Sequence, residues 1–299
     1  MSIEAIIHSW RGPNEGVAAG KSLTDAVKKG YKTVLSNGYY LDLMYPVESH
    51  YLNDPMPKGA NLTTEEKARI LGGEATMWTE LVSSTTIDSR LWPRTAAIAE
   101  RLWSAENITD VANMRKRLEA VSFRLEELGL THISNKAVIL RNIVNNQNTE
   151  DINDFSNICE PLKGYSRNKD GTEYQMYSPL TLFADACTPD AKDALAFDDA
   201  VNQYLANKTL ENKEKVAAFF NKWIVINKGL IALSTNAPLV QPILPLIKKL
   251  SDVSQELLLV LDNKSALKTT DLKSLIEQCN TKDHADVELA VYASLKKLI

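Results

Sequence analysis

The first hundred residues alternate between short apolar runs, polar loops and apolar positions at helical spacing. Ala5-Ile6-Ile7-His8-Ser9 is the first run. It ends at Trp10-Arg11-Gly12-Pro13, and Leu23 to Lys29 then reads as a short helix closed by Gly30. Lys32-Thr33-Val34-Leu35-Ser36 is the second, followed by the turn signal Asn37-Gly38 and by Tyr39-Tyr40-Leu41-Asp42. The third strand is expected over Glu74 to Met77, leading into Trp78-Thr79-Glu80. Alternation along that strand sends Trp78 and Glu80 to the same side. A helix is expected from Asp88 or Ser89, either of which can cap it, with Pro93 in its first turn. Its apolar positions are Leu91, Thr95, Ile98, Leu102 and Trp92, Ala96, Ala99, Trp103. Strand, loop with aromatic and acidic groups, then helix, repeated three times, predicts parallel βα units with their functional groups at the strand carboxyl ends.

After Trp103 the pattern changes. Met114, Leu118, Val121, Leu125 and Leu128 mark one helical stripe ended by Gly129, Asn145 to Asn157 reads as a loop, and Cys159 to Pro189 as largely irregular. Strand signals vanish from Ala191. Helices are expected over 194–205, 211–233, 241–261, 267–278 and 285–298, with Pro238, Pro242 and Pro245 opening the third and short connections suggesting an antiparallel bundle. The fold class is therefore α/β followed by all-α. The expected division is a βα portion over 1–105, a helix and irregular connecting region over 106–190, and a helical bundle over 191–299.

Composition changes this picture little. At 299 residues, ordinary charge content and a net charge of −4, the chain has no electrostatic support for a nucleic-acid or anionic-membrane role. By sequence no stretch approaches the ~18 apolar residues of a membrane span, and the residues after Met1 lack a leader's basic start and apolar run. Cys159, Cys187 and Cys279 are odd in number and widely spaced, so they do not read as a disulfide framework or zinc site. His8, His50, His132 and His284 form no metal motif.

The chemistry concentrates at the three strand ends, where an aromatic plate beside a carboxylate suits a sugar. Trp10-Arg11-Gly12, Lys32 to Ser36 with Tyr40-Leu41-Asp42, Gly72-Gly73-Glu74-Ala75 with Met77 to Glu80, and Arg90-Leu-Trp-Pro-Arg94 through Ala99-Glu-Arg-Leu-Trp103 together resemble family 20 glycoside hydrolases, the β-N-acetylhexosaminidases. The resemblance covers roughly the first third of the chain and implies the last three βα units of a TIM-type (β/α)8 barrel. The segment Pro161–Arg167 to Tyr177–Thr181 is similar to the tail of Bacteroidetes-type members.

By this resemblance Tyr40 is the catalytic tyrosine whose hydroxyl holds the substrate's acetamido oxygen. Asp42 and Glu80 accept hydrogen bonds from O4 and O6 of the sugar, and Trp10 and Trp78 wall the pocket. Each has a plainer reading: a rim aromatic for Tyr40, a cap or arginine partner for Asp42 and Glu80, core for the tryptophans. Function is weighted above structure because all five share one predicted barrel end. Tyr39 reads as a rim aromatic, Glu74 and the Arg90/Arg94 pair as structural, and Trp92, Trp103 and Trp223 as core. The family's further tryptophan after Tyr-x-Asp has no counterpart between Leu43 and Pro57, which offer only Tyr45 and Tyr51.

The resemblance implies substrate-assisted, retaining hydrolysis of N-acetylhexosamine-terminated glycans or chitooligosaccharides, with no metal or organic cofactor. The family's general acid lies in an Asp-Glu pair, and this sequence contains no such dipeptide. The chain is therefore expected to be the carboxyl-terminal piece of a larger enzyme, inactive alone, whose partner is the missing amino-terminal half or a second copy. The competing reading is a non-catalytic helical or carbohydrate-binding fragment that docks to a partner. Intact family members are often periplasmic or secreted, and nothing in the chain gives its own location.

Overall fold

The computed structural model describes residues 2–13, 16–79, 81–168 and 182–299. Glu80, Tyr174 and the Tyr177–Thr181 stretch lie outside the described residues. Parallel strands in the first part give way to a mostly helical region. Chain contacts divide it into two compact units, Met1–His132 and Ile133–Ile299.

In the first unit, β1 (Ile6–Ser9), β2 (Lys32–Leu35) and β3 (Ile70–Gly73) form a parallel sheet in that order, with Ile6 opposite Lys32 and Ser9 opposite Leu35. The helix α1 (Lys21–Lys28) links the first two strands. Its Leu23 and Val27 are buried with Leu35, Tyr39, Leu41, Leu62 and Ile98 in one apolar cluster.

The third strand begins earlier than expected. Thr63 and Glu66 form a capping box on the short α3 (Thr64–Lys67), and Ile70 pairs with Thr33 immediately afterwards. Glycine at position 73 gives the strand the room it needs: a Cβ there would lie 2.6 Å from the Tyr39 ring. Trp78 and Thr79 are thus beyond the strand, with Thr79 at φ 69, so strand alternation does not set their directions.

The expected single helix at 88–103 is two, α4 (Ile87–Leu91) and α5 (Arg94–Trp103). Proline disfavours the helical region for the residue before it, and Trp92 is accordingly extended at ψ 149. Neither expected cap is used: Asp88 accepts from the Thr131 amide and hydroxyl, both at 2.8 Å, and Ser89 donates to the Thr86 carbonyl. The buried stripe of α5 is Arg94, Ala97, Ile98 and Arg101. Trp103, expected in the core, is 92% exposed, and Trp92 is half-buried. The unit closes with α2 (Val47–Tyr51) and α6 (Val111–Glu127), whose amino end Asp110 caps.

In the second unit, α7 (Ser134–Ile143), α8 (Glu150–Ser156), α9 (Leu182–Ala186), α10 (Lys192–Ala206), α11 (Leu210–Ser234), α12 (Leu244–Leu261) and α13 (Thr269–Glu277) surround one core. Phe197 meets Trp223 edge-on at 4.8 Å, and Trp223 is buried as expected. Contrary to the expectation from sequence, α11 is long and apolar enough to cross a membrane by length and composition. Its Val216, Phe220, Trp223, Ile226 and Leu230 are buried in this core.

Two further differences arise. The chain around 285–298, expected as one helix, is β5 (Val287–Leu289) and the short α14 (Tyr292–Lys296). β5 pairs antiparallel with β4 (Cys159–Pro161) inside the segment expected to be irregular. The partners are far apart in sequence, so no local pattern announces the pairing.

Candidate sugar site at the strand carboxyl ends

The parallel register brings the candidate residues to one end of the sheet. Trp10 directly follows β1, Tyr40 and Asp42 lie in the loop after β2, and Trp78 lies in the loop after β3. The second and third loops are joined beyond the strands. Tyr40 and Thr76 form an isolated parallel bridge, the Leu41 amide donates to the Thr76 carbonyl at 2.9 Å, and the Thr76 amide donates to the Tyr39 carbonyl at 3.0 Å. The first loop is tied to the second by the Asn37 side-chain amide, which donates to the Trp10 carbonyl at 3.1 Å.

The four described candidates differ in exposure. Trp10 and Trp78 are 48% and 62% exposed, Tyr40 is half-buried and Asp42 is buried. Neither tryptophan is core: large rings left in solvent at one sheet end are available surface. The Arg11 guanidinium lies 5.2 Å from the centre of the Trp10 ring, a cation–π distance. Tyr39 is fully buried rather than at a rim, its hydroxyl donating to the Asn53 carbonyl at 2.5 Å, and burial raises its pKa.

Ser36 donates to Glu74 Oε1 at 2.6 Å, and His8 Nδ1 lies 2.8 Å from the same oxygen, so a side chain from each strand meets at one carboxylate beside the candidate residues.

The loop carrying Tyr40 and Asp42 is held by side chains from outside it, none of them among the residues expected at the site. The Asn53 side chain donates to the Asn37 carbonyl at 2.9 Å and His50 Nδ1 donates to the Gly38 carbonyl at 2.7 Å. Arg94 donates to the carbonyls of Leu41 at 2.7 Å, Tyr45 at 2.9 Å and Arg90 at 2.6 Å. Burial, and then the neighbouring Arg94 charge, push the His50 pKa down to about 4, so the ring is neutral at neutral pH. Gly38 is at φ 85, and a Cβ there would meet the Asn53 side chain at 2.4 Å. Arg90 and Arg94 stand four residues apart on either side of the α4–α5 break, both buried, and a buried arginine needs partners. That was the available signal for this role.

The chain thus places solvent-facing aromatics, a tyrosine and a carboxylate at the carboxyl ends of one parallel βα sheet. Residues 1–106 match the family model described as "Glycosyl hydrolase family 20, catalytic domain". Beta-hexosaminidase subunit beta of Felis catus is 36% identical over 114 residues, 37% of this chain and 21% of that protein. Beta-hexosaminidase subunit A2 of Dictyostelium discoideum is 33% identical over 138 residues, 42% of this chain and 24% of that protein. The chain thus spans about a quarter or less of these relatives. The X-ray structure of Flavobacterium johnsoniae chitobiase is 83% identical with a TM-score of 0.97, covering 99% of this chain and 45% of that one.

Proposed function

We propose that this chain is part of an exo-acting β-N-acetylhexosaminidase, its first unit supplying the last three βα units of a (β/α)8 barrel and one wall of the sugar site. The observation that carries the reading is the gathering of Trp10, Tyr40, Asp42 and Trp78 at the carboxyl ends of one parallel sheet, the end at which barrels of this kind hold their active sites. The names of the relatives supply the substrate class: glycans or chitooligosaccharides ending in N-acetylhexosamine.

In this reading the substrate's own 2-acetamido oxygen attacks the anomeric carbon, the glycosidic bond breaks, and the leaving oxygen takes its proton from a carboxylic acid. Water then opens the oxazolinium with net retention. Tyr40 aims its hydroxyl at the acetamido oxygen, and Trp10 and Trp78 stack on the sugar. Asp42, with Glu80, accepts from its hydroxyls. A donor placed at developing charge contributes about 3 kcal/mol in a dry site. The acid of the Asp-Glu pair is the part this sequence does not contain.

Two measurements test this. Saturation-transfer NMR with N,N′-diacetylchitobiose should show contact with the chain, weakened in Tyr40→Phe and in Trp78→Ala. Equal signals in all three proteins would refute the site. The chain alone should hydrolyse p-nitrophenyl N-acetylglucosaminide no faster than buffer, because general acid catalysis contributes about 10²–10⁴-fold. Robust turnover would show that the acid is supplied from within these 299 residues and overturn the assignment. The competing reading, a sugar-binding fragment without catalysis, shares the first outcome. It departs from the second if turnover stays absent when the barrel's other half is supplied.

A further inference from the structure

We propose that Arg94 and His50 are positioning residues for sugar recognition: they clamp the loop from Asn37 to Tyr45 so that Tyr40 and Asp42 keep one presentation at the end of β2. This rests on the sugar-site reading above.

Beyond its backbone bridge to Thr76, four of the loop's carbonyls are held by side chains. The carbonyls of Asn37, Gly38, Leu41 and Tyr45 accept from Asn53, His50 and Arg94, at distances between 2.7 and 2.9 Å. Tyr40 and Asp42 lie between the clamped carbonyls of Gly38 and Tyr45. Arg94 is buried, and its third carbonyl, that of Arg90, anchors the fork to the helical turn behind it. Burying a guanidinium is costly, and apolar packing would hold a loop as well. A planar fork instead fixes the separation and angle of several carbonyls at once.

The loop also carries strain that such a clamp retains. Met44 stands at φ 59, between the two loop carbonyls that Arg94 holds, and it is buried. A non-glycine residue in this conformation persists where its surroundings over-determine it, and such residues cluster at ligand sites. His50 completes the arrangement. With Nδ1–H directed at the Gly38 carbonyl, its Nε2 lone pair faces Arg94 Nη1 at 3.5 Å, so the ring braces the guanidinium as a neutral acceptor.

The test compares the full chain with Arg94→Lys and with His50→Phe, which keeps a ring and loses both bonds. Three readouts are used: amide exchange over residues 37–45, the histidine ¹⁵N spectrum, and saturation transfer from N,N′-diacetylchitobiose against its 4-deoxy analogue. Arg94→Lys should speed exchange in the loop by about tenfold or more, as expected when local opening replaces global protection. It should also shift the His50 signal and narrow the preference for the natural sugar over the deoxy one. His50→Phe should do the same to exchange and preference. Unchanged loop exchange in both variants would overturn the clamp. Equal weakening of the two sugars would reduce Arg94 to general support and overturn the recognition role. If wild type touches neither sugar, the sugar-site reading fails, while loop exchange still decides the clamp.

Discussion

At the scale of single residues, the first unit depends on polar side chains that leave water only because the backbone receives them. His50 is completely buried and its pKa is pushed down to about 4. Above about pH 6.5 the ring is neutral in both folded and unfolded chains. As pH falls from there towards 4, the unfolded chain takes up a proton that the folded chain refuses, and stability drops by up to about 3 kcal/mol. Urea unfolding at pH 7.5 and pH 5 should therefore show a loss in wild type that is smaller in His50→Gln. Equal pH slopes in the two proteins would show that His50 is not held neutral. Tyr40 and Asp42 were legible because aromatic and acidic types just past a strand are a local pattern. Arg94, His50 and the Glu74 meeting point were not, since their partners are main-chain or side-chain atoms on other elements.

At the scale of elements, β3 shows how close approach outranks propensity. Glycine weakens a strand by local rules, yet Gly73 ends β3 because the Tyr39 ring occupies the space of its missing side chain. Gly73→Ala should force that buried ring aside and destabilise the first unit by about 1–3 kcal/mol, read as a lower urea midpoint. An unchanged midpoint would mean that Tyr39 moves freely. In the second unit α10, α11 and α13 were legible from apolar spacing to within a few residues, whereas α8 falls in the stretch expected as a loop and α9 in the stretch expected to be irregular. β5 was not, because its pairing with β4 joins distant segments. The division of α4 from α5 needed only the rule that proline straightens its predecessor, but the apolar stripe across it pointed to one helix.

At the scale of the whole molecule, β1 pairs with β2 alone among the described residues, and its Ile6 is 52% exposed. An open parallel edge with apolar side chains recruits other chains. Light scattering should show concentration-dependent association of the chain, reduced in Ile6→Lys; a monodisperse monomer at high concentration would count against it. What the sequence determined by itself was whatever repeats locally: three strand–loop–helix units, the tail helices, and the residue types at the strand ends. That sufficed for the resemblance of the first third, which the family model matches over residues 1–106, because short motifs are properties of contiguous chain. Only the tertiary structure decided which buried polar groups hold the Tyr40–Asp42 loop and that Glu74 is met by His8 and Ser36. The same holds for the burial of Tyr39 beside the exposure of Trp103. Those outcomes turn on hydrogen bonds and contacts between residues remote in sequence, and the cost of burying a charge or ring is set by the neighbours that folding brings to it.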